Sequence, residues 1–336
     1  MQKLNVGIIG LGVGERHLEA YAEHARCGSI TVCDFDGKKV KRIQKEYPAV
    51  KVARDANEIL TDPNIQVVSI ASYDHYHYAQ VCQAVKNNKH VFVEKPICLH
   101  PREAKTIKKL LNTRPHLKIS SNLILRKSPR FQLLKKMIAS GKLGTIYHVE
   151  GDYNYGRLHK ITEGWRGKID FYSVVYGGGV HMIDLILWLT GDQVVEVSAC
   201  GNNISSRATQ FRYNDMVTGL LKFKSSMTAK VSANYSCVQP HFHGLTIYGT
   251  KGTFINGPQH ALLYTSRDPL IRPKKIVGPY PGIHKGALIR GFVDAIVRGT
   301  EPEVTQKEIF QVMDACFALE KAVQRNGVRV AQHPIR

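Results

Sequence analysis

The chain has 336 residues, 43% hydrophobic and 22% charged content, and a formal net charge of +20. These values exclude a predominantly disordered chain, and the length favours two domains. No apolar run approaches the ~18 residues of a membrane span, and the run at residues 4–13 lacks the cleavage site of a signal peptide.

Residues 1–120 alternate short apolar runs with amphipathic segments such as residues 76–88. The runs "NVGIIG", "SITVCD", "VVSIAS" and "HVFVEK" are predicted strands. Strands that alternate with helices predict right-handed crossovers and a parallel sheet with helices on both faces. Residues 1–120 are therefore predicted to form an α/β domain.

The segment "VGIIGLGVGERHLEAY" predicts a strand, a glycine turn and a helix in that order. Glycines allow a tight turn and a close approach of the backbone to a pyrophosphate, whose charge the helix N-terminus stabilises. A dinucleotide-binding loop at Gly10, Gly12, Val13 and Gly14 is favoured over a plain glycine turn. The usual third glycine would lie at position 15, where Glu15 stands, which predicts a loop one residue shorter.

Asp34 ends the second predicted strand. A carboxylate at this place accepts hydrogen bonds from an adenosine ribose and repels a 2′-phosphate, so NAD is favoured over NADP. The alternative role for Asp34 is the N-cap of a helix, which suits Asp36 better. The positive charges of Lys38 and Lys39 weaken the preference for NAD.

The strand "HVFV" ends in Glu94, Lys95 and Pro96. In open α/β sheets, ligands bind just beyond the carboxyl ends of the strands. Lys95 is therefore a candidate for chemistry, the alternative being an ordinary exposed lysine at the end of a strand. Glu94 is expected to orient the turn or the lysine, and Pro96 to fix the backbone.

After Gly144 the strands become longer, within "TIYHVEGDY", "VVEVSACG", "MVTGLLKFK" and "MTAKVSANYS". Their alternation predicts an antiparallel sheet with one covered face. Residues 267–281, rich in Pro and Gly, predict a loop, and "TQKE" at 305–308 predicts a capping box. We therefore expect a second, α+β domain over residues 121–336 with a large, mostly antiparallel open sheet and terminal helices at 286–300 and 306–326.

Between residues 101 and 143 there are twelve Lys or Arg and one acid, Glu103. The segment is either a solvated helix face or a surface that attracts an anionic small molecule or nucleic acid. The absence of a nucleic-acid-binding motif favours an anionic metabolite over nucleic acid. Seven scattered cysteines without a C-x-x-C pair indicate reduced thiols in a cytoplasmic protein, with no disulfide framework and no structural zinc.

Nearly the whole chain resembles the Gfo/Idh/MocA family of glucose–fructose oxidoreductase and inositol dehydrogenase. The resemblance is carried by the glycine turn, by the strand that ends in Glu94, Lys95 and Pro96, and by the segments "SNLILRKSPRF", "EGWRGK", "GGGVHMIDLILWLTG" and "GFVDAIVRGTEPEV". The resemblance implies a Rossmann domain and a second domain whose open sheet packs against a partner subunit, in a homodimer or homotetramer. It also implies oxidation of a sugar hydroxyl, or reduction of the matching ketone, with a nicotinamide cofactor. The basic charge favours an anionic sugar derivative, such as a nucleotide sugar or a sugar acid.

The resemblance assigns the catalytic positions to Lys95 and His181. It implies that Lys95 lies beside the nicotinamide and touches the substrate hydroxyl, where a partly dry cleft would help the amine to exchange a proton. His181 would be a proton donor or acceptor on the substrate side, with Asp184 holding its ring or capping the packing. The family's usual aspartate four residues before this histidine is replaced by Gly177, for which Tyr172, Tyr176 or Asp170 could substitute.

Further positions follow from the resemblance with less specificity. The expected cofactor-lining residues are Ser72, His77, Glu94, Lys95 and Asn122, in addition to the glycine loop and Asp34. The expected substrate-lining residues are Lys95, Asn122, Arg126, Trp165, Arg166, Tyr176 and His181. The histidine pairs in "HYH" and "HFH" are interpreted as ordinary or substrate-lining residues and not as metal ligands.

Three functions are therefore compared. An NAD-dependent dehydrogenase of a sugar derivative is favoured because both Lys95 and His181 are present. A non-catalytic sensor that binds the cofactor is the alternative suggested by Gly177, and nucleic-acid binding driven by the net charge is the third.

Overall fold

The structure is a computed structural model that describes residues 3–284 and 286–330. It divides into two compact units, the first with the chain up to Ile124 plus His284–Gln311, the second with Leu125–Ile283 plus the chain from Val312 onward. Residues 284–311 were expected in the second domain instead. The difference has a packing reason, because the Phe292 ring lies 5.6 Å from the Phe92 ring.

The first unit contains a sheet of six parallel strands. They are β1 (Leu4–Ile9), β2 (Cys27–Cys33), β3 (Lys51–Val52), β4 (Val67–Ile70), β5 (His90–Val93) and β6 (Ile119–Ser121). Their spatial order is β3-β2-β1-β4-β5-β6, so the order reverses between β1 and β4. All four residues of β4 are buried, as expected for a strand covered on both faces. The predicted α/β fold is confirmed, and the reversal marks the edge where ligands bind in such sheets.

Five helices connect these strands. They are α1 (Gly14–Ala22), α2 (Gly37–Glu46), α3 (Ala56–Thr61), α4 (Asp74–Lys86) and α5 (Pro101–Asn112). Asp36 and Asp55 cap α2 and α3 by accepting hydrogen bonds from backbone N–H groups. No side chain caps α1, so its first N–H groups face the glycine turn without an acceptor from a capping residue.

The second unit contains a sheet of eight strands. They are β7 (Ile146–Asn154), β8 (Val194–Asn202), β9 (Met216–Phe223), β10 (Thr228–Asn234), β11 (Phe242–Gly249), β12 (Thr253–Asn256), β13 (Ala261–Tyr264) and β14 (Lys274–Ile276). Their order is β14-β13-β12-β11-β7-β10-β9-β8, and every pair is antiparallel except β7–β10. The expected mostly antiparallel sheet is confirmed, whereas the loop prediction for 267–281 is wrong at β14, whose residues pair with β13.

The helices of the second unit cover one face of its sheet. They include α6 (Pro129–Ala139), α7 (His159–Thr162) and α8 (Val180–Thr190), with 3-10 turns at Ile124–Lys127 and Trp165–Gly167 and a π-helical turn at Val175–Gly179. The last helix of the chain also belongs to this unit from Val312 onward, and its Leu319 lies against Gly219 of β9. Along β7, Val149, Gly151 and Tyr153 are buried, whereas the residues between them are partly exposed. Alternate side chains therefore face the helices, and the other face of the sheet stays open.

The chain ends in α9 (Ala287–Arg298) and α10 (Gln306–Val330). The predicted capping box is confirmed: the N–H of Glu308 donates to Thr305 Oγ1 at 3.3 Å, and the N–H of Thr305 donates to Glu308 Oε2 at 2.9 Å. Among the described residues, none of the helices is long and apolar enough to cross a membrane.

Candidate cofactor and substrate sites

The glycine turn after β1 has the geometry of a phosphate-binding loop. Gly10 has φ +89°, and a Cβ there would lie 2.5 Å from the carbonyl oxygen of Ala71. A Cβ on Gly12 would meet nothing within 4 Å, so the backbone there borders open space. Gly14 begins α1, and a Cβ there would lie 3.3 Å from both Ala71 and Ile8. Gly14 thus allows the close packing of helix on strand that the third glycine provides in such loops, one position early.

Asp34 lies at the end of β2, beside this turn. Its carboxylate accepts hydrogen bonds from the N–H of Leu11 at 2.5 Å and from the N–H of Asp36 at 2.8 Å. These bonds fix the carboxylate next to the glycine turn. Phe35 is 77% exposed, and its ring lies 5.4 Å from that of Tyr73, which follows β4. The two rings suit an adenine base beside the ribose site, a role that was not predicted for them from the sequence.

Glu94 forms a polar centre at the end of β5. Its Oε1 lies 3.1 Å from His17 Nε2 and accepts a hydrogen bond from Asn122 Nδ2 at 2.6 Å. The other ring nitrogen of His17 lies 2.9 Å from Ser69 Oγ, and His17 is fully buried. Burial alone would raise the pKa of Glu94, but the hydrogen bond and charge of His17, with the Lys95 charge, lower that pKa to about 2. Glu94 is therefore an anion at all physiological pH values.

Lys95 follows Glu94 and is half-buried, and its peptide bond to Pro96 is cis. His77 supports this turn, because its Nδ1 lies 2.7 Å from the carbonyl oxygen of Pro96 and its Nε2 lies 3.1 Å from that of Ser72. His77 thus joins the turns after β4 and β5. The Ser72 hydroxyl donates to Gln80 at 2.7 Å. The predicted cofactor-lining residues of the first unit therefore lie together at the carboxyl edge of its sheet.

In the second unit, His181 belongs to a group of aromatic side chains that we call the ring cluster. Its members are Tyr153, Tyr155, Tyr172, Tyr235, His181, His241 and His243, joined by ring contacts of 4.6–6.3 Å. His181 is 9% exposed, and its ring stacks on Tyr153 at 5.8 Å. The cluster lies on the helix-covered face of the sheet, because Tyr153 and His243 are buried members of β7 and β11.

The glycine run before His181 makes room for these rings. A Cβ on Gly178 would lie 2.4 Å from the Tyr153 ring, and a Cβ on Gly177 would lie 2.1 Å from Tyr172 Oη and 2.6 Å from Tyr235 Oη. The two hydroxyls are hydrogen-bonded to each other at 2.9 Å. At Gly177 and Gly178, tyrosine side chains from elsewhere in the unit therefore occupy the space that a side chain would fill.

Three buried members of the ring cluster are uncharged near neutral pH. Burial raises the pKa of the hydroxyls of Tyr153 and Tyr235, so both stay protonated. Burial, together with the charge of His241, lowers the pKa of His243 to about 3. His243 is hence an uncharged imidazole near neutral pH, with its Nδ1 2.9 Å from the Tyr280 hydroxyl.

The other predicted residues of the second unit divide into two groups. The Arg166 guanidinium lies 4.6 Å from the Trp165 ring and 5.8 Å from the Tyr172 ring, so both residues adjoin the ring cluster. Arg126 is buried and forms an ion pair with Asp184 at 2.6 Å. Asp184 therefore holds Arg126, a role that the sequence analysis did not consider. Tyr176 contacts the rings of Phe171 and Phe317, which lie outside the cluster.

His241 and His243 were interpreted from the sequence as ordinary or substrate-lining residues, whereas Tyr153 and Tyr155 were not predicted. A signal was present for the two tyrosines, because they alternate at the end of β7 as His241 and His243 do at the start of β11. No sequence pattern indicated that His17, one turn into α1, would contact Glu94. Within residues 3–284 and 286–330, no group of three or more His, Cys, Asp or Glu is arranged to hold a metal ion.

Two family models match the chain. Residues 4–120 match the oxidoreductase family with an NAD-binding Rossmann fold, and residues 131–255 match the GFO/IDH/MocA C-terminal domain. The two matches together cover most of the chain, and each falls largely within one of the two units.

Curated relatives and solved structures agree with these matches. An uncharacterised oxidoreductase of Synechocystis sp. is 25% identical over 76% of this chain and 71% of its own length. Inositol 2-dehydrogenase/D-chiro-inositol 3-dehydrogenase of Lactiplantibacillus plantarum is 24% identical over 66% of this chain and 62% of its own length. The structure of a levoglucosan dehydrogenase in complex with NADH matches with a TM-score of 0.85 and 20% identity, over 96% of this chain and 98% of its own. At that identity the structural likeness establishes the fold.

Proposed function

Because the chain belongs to the Gfo/Idh/MocA family of oxidoreductases with an NAD-binding Rossmann domain, we propose that it is an NAD-dependent dehydrogenase or reductase of a sugar derivative. The observation that carries the proposal is the convergence of the glycine turn, Asp34 and the Glu94–Lys95 turn on one edge of the first sheet. The relatives named for inositol and levoglucosan support a hydroxyl of a sugar or polyol as the reacting group.

The residues of the first unit fit a dinucleotide. The open space beside Gly12 and the uncapped start of α1 suit a pyrophosphate, and the Asp34 carboxylate suits a ribose diol. A 2′-phosphate would bring negative charge against Asp34, which favours NAD over NADP. When bound, the nicotinamide accepts a hydride from an alcohol carbon or supplies one to a ketone.

The protein's part in that reaction is the movement of a proton. We assign proton exchange with the substrate hydroxyl to Lys95, whose ammonium form also stabilises alkoxide character. The Glu94 anion precedes it in the chain and holds the turn through His17 and Asn122. His181 is the second candidate for proton exchange, on a ring that Tyr153 holds by stacking. Glu94, placed in this way, acts as a positioning residue.

A non-catalytic sensor of the cofactor is the competing function. It was suggested by Gly177, but the structure gives that glycine a packing reason, because tyrosine hydroxyls fill the space of a side chain there. A glycine that makes room for neighbouring rings is not by itself a sign of lost catalysis. We therefore keep the enzyme as the proposed function and use the sensor as an outcome of the test.

The test measures reduction of NAD by a panel of sugars, polyols and sugar acids at high protein concentration. Lys95→Met should lower kcat/KM by at least about a hundredfold, the usual contribution of a general acid or base. Lys86→Met is the matched control, since Lys86 is exposed near the end of α4, and it should keep full activity.

Binding of NADH, followed by its fluorescence, separates the two functions. Retained NADH binding in Lys95→Met shows that the loss lies in chemistry. Wild-type protein that binds NADH but is inactive on the whole panel and its matching ketones would support the sensor. Equal activity of Lys95→Met and wild type would contradict the assignment of Lys95.

A further inference from the structure

A groove of about 560 Å³ runs along one edge of the second sheet, between β14 and α6. Its lining residues are Leu133, Lys136, Met137 and Ser140 of α6, Lys142 of the turn that follows, and Lys274, Lys275, Ile276 and Val277 of β14 and the position after it. The α6 residues recur at intervals of three and four positions, so they share one face of that helix, whereas consecutive strand residues point to opposite faces of a sheet. The groove therefore follows the outer edge of β14 and does not lie on one face of the sheet.

That edge is open for pairing. β14 is the last strand of the eight-stranded sheet and pairs with β13, and within the part of the chain that the structure describes no strand pairs with its other side. An edge strand presents N–H and C=O groups with which a further extended chain can pair. In one recurring mode of recognition, a peptide adds to such an edge through main-chain hydrogen bonds, and pockets for alternate side chains supply the specificity.

Arg130 holds α6 beside the β13–β14 hairpin. Its guanidinium is buried and donates to the carbonyl oxygen of Gly257, ahead of β13, at 2.7 Å and to that of Gly278, after β14, at 3.0 Å. The guanidinium carbon also lies 5.0 Å from the centroid of the Tyr280 ring. These contacts join the helix to both ends of the hairpin, so the groove is formed without a ligand.

The floor of the groove is apolar and partly exposed. Met137 and Ile276 are buried, whereas Leu133 is 40% and Val277 is 82% exposed. None of the lining residues is acidic. The groove thus offers apolar surface to a partner and no negative charge of its own.

Four exposed lysines surround this floor, namely Lys136, Lys142, Lys274 and Lys275. Among the described residues, none of their side chains has an ion pair or a hydrogen bond. Like charges gathered around one groove raise the local positive potential and attract an acidic partner. Lysines on an edge strand also discourage aggregation through that edge. That role does not account for Lys136 and Lys142, which lie outside the strand.

We propose that this groove binds an extended acidic segment of a partner protein, which adds to β14 as a further strand. Because successive side chains of a strand point to opposite sides, a segment in which acidic and apolar residues alternate suits the groove best. Its apolar side chains pack on the floor, and its carboxylates meet the lysines. A second copy of this chain is a poor occupant, since the chain carries a net charge of +20. The site goes beyond the proposed function, because it shares no residue with the proposed reaction.

The test measures binding of fluorescently labelled octapeptides to the full-length protein by fluorescence anisotropy. In the panel, Glu or Asp alternates with Val, Leu or Phe, and each peptide has a counterpart with Lys in place of the acidic residues. At least one acidic peptide should bind about tenfold or more tightly than its Lys counterpart, and its affinity should fall as the NaCl concentration rises. A form methylated at every second amide nitrogen lacks the donors of one strand edge and should bind at least about tenfold more weakly.

Lys136→Glu combined with Lys274→Glu should weaken binding of the acidic peptide about tenfold, since each reversal removes an attraction and adds a repulsion. The matched control combines Lys224→Glu with Lys321→Glu, at exposed lysines of the same unit after β9 and on α10. It changes the net charge equally and should leave the affinity nearly unchanged. Both variants should unfold at the wild-type temperature and bind NADH as the wild type does, which separates lost docking from misfolding.

The proposal is overturned if no acidic peptide of the panel binds, if the groove variant binds as tightly as the wild type, or if amide methylation has no effect. Vesicles of phosphatidylserine and phosphatidylcholine form the last arm of the test. Vesicle binding that the groove variant loses, without any peptide binding, would assign the groove to a lipid surface and overturn the proposal as well.

Discussion

At the residue scale, Glu94 is the point where three elements of the first unit meet. His17 reaches it from α1, Asn122 reaches it from the end of β6, and Lys95 adjoins it in sequence. Its carboxylate is 13% exposed, and yet its pKa falls to about 2. The charged form is therefore stabilised by its partners more strongly than burial opposes it.

This depressed pKa makes a prediction about stability and pH. The ordinary pKa of a glutamate is 4.5, so the contribution of Glu94 is fully present above pH 4.5 and is lost as the pH falls towards 2. Wild-type protein should lose roughly 3 kcal/mol of unfolding free energy from this group across that window. Glu94→Gln should be less stable at neutral pH and should show a shallower loss. Denaturant unfolding at pH 7, 4.5 and 3 measures both effects.

Glu46→Gln is the control for this prediction, because Glu46 is an exposed carboxylate at the end of α2. Its profile should follow that of the wild type, since exposed ion pairs contribute little. If Glu94→Gln and wild type lose stability in parallel between pH 4.5 and 3, the network around Glu94 does not stabilise the anion.

At the element scale, the π-helical turn Val175–Gly179 depends on its glycines for packing. Gly177→Ala would place a methyl group 2.1 Å from Tyr172 Oη and 2.6 Å from Tyr235 Oη, and both hydroxyls are buried. We expect a destabilisation of about 1–3 kcal/mol, the usual cost of overpacking. Thermal and denaturant unfolding of the variant measure it.

Gly37→Ala is the matched control for that substitution. A Cβ on Gly37 would meet nothing within 4 Å, and the residue begins α2, so alanine there should be neutral or slightly stabilising. If Gly177→Ala unfolds at the same temperature as the wild type, the tyrosines can move aside. The packing reason for Gly177 would then be wrong.

The elements were predictable from the sequence wherever local pattern decides them. The strands of the first sheet are short apolar runs between breakers, and the capping box of α10 lies within four residues. The ring cluster was not predictable, because it joins Tyr153, Tyr172, Tyr235 and His243 from separate parts of the chain. Similarly, the pairing of Arg126 with Asp184 spans 58 positions, so no local spacing indicates it.

At the scale of the whole molecule, part of the basic segment at 101–143 is paired within the fold. Arg126 pairs with Asp184, and Arg130 is buried with its guanidinium donating to the carbonyl oxygens of Gly257 and Gln259. Lys118 pairs with Glu301 at 2.5 Å. Part of the positive charge is thus used within the fold, which weakens the net-charge argument for an anionic partner.

The open face of the second sheet carries a continuous row of side chains from edge to edge. In register across the sheet, the row is Lys275, Leu262, Ile255, Thr246, Glu150, Lys230, Leu220 and Ser198. Leu220 is 57% exposed, and Ile255 and Leu262 are only partly covered. Apolar side chains that lie in one row on an uncovered face are typical of a surface that another protein covers.

The expected homo-oligomer is therefore predicted to form through this face. Two copies that pack open sheet on open sheet would bury Leu220 near the carboxylate and ammonium groups of the same row. Leu220→Asp places a charge within that contact and should shift the protein from a dimer towards the 37.7 kDa monomer. Leu270→Asp is the control, since Leu270 is 88% exposed in the segment before β14 and lies outside the row. Sedimentation velocity should show a dimer for wild type and for Leu270→Asp, and a monomer for Leu220→Asp. A monomeric wild type, or a dimeric Leu220→Asp variant, would contradict the use of this face.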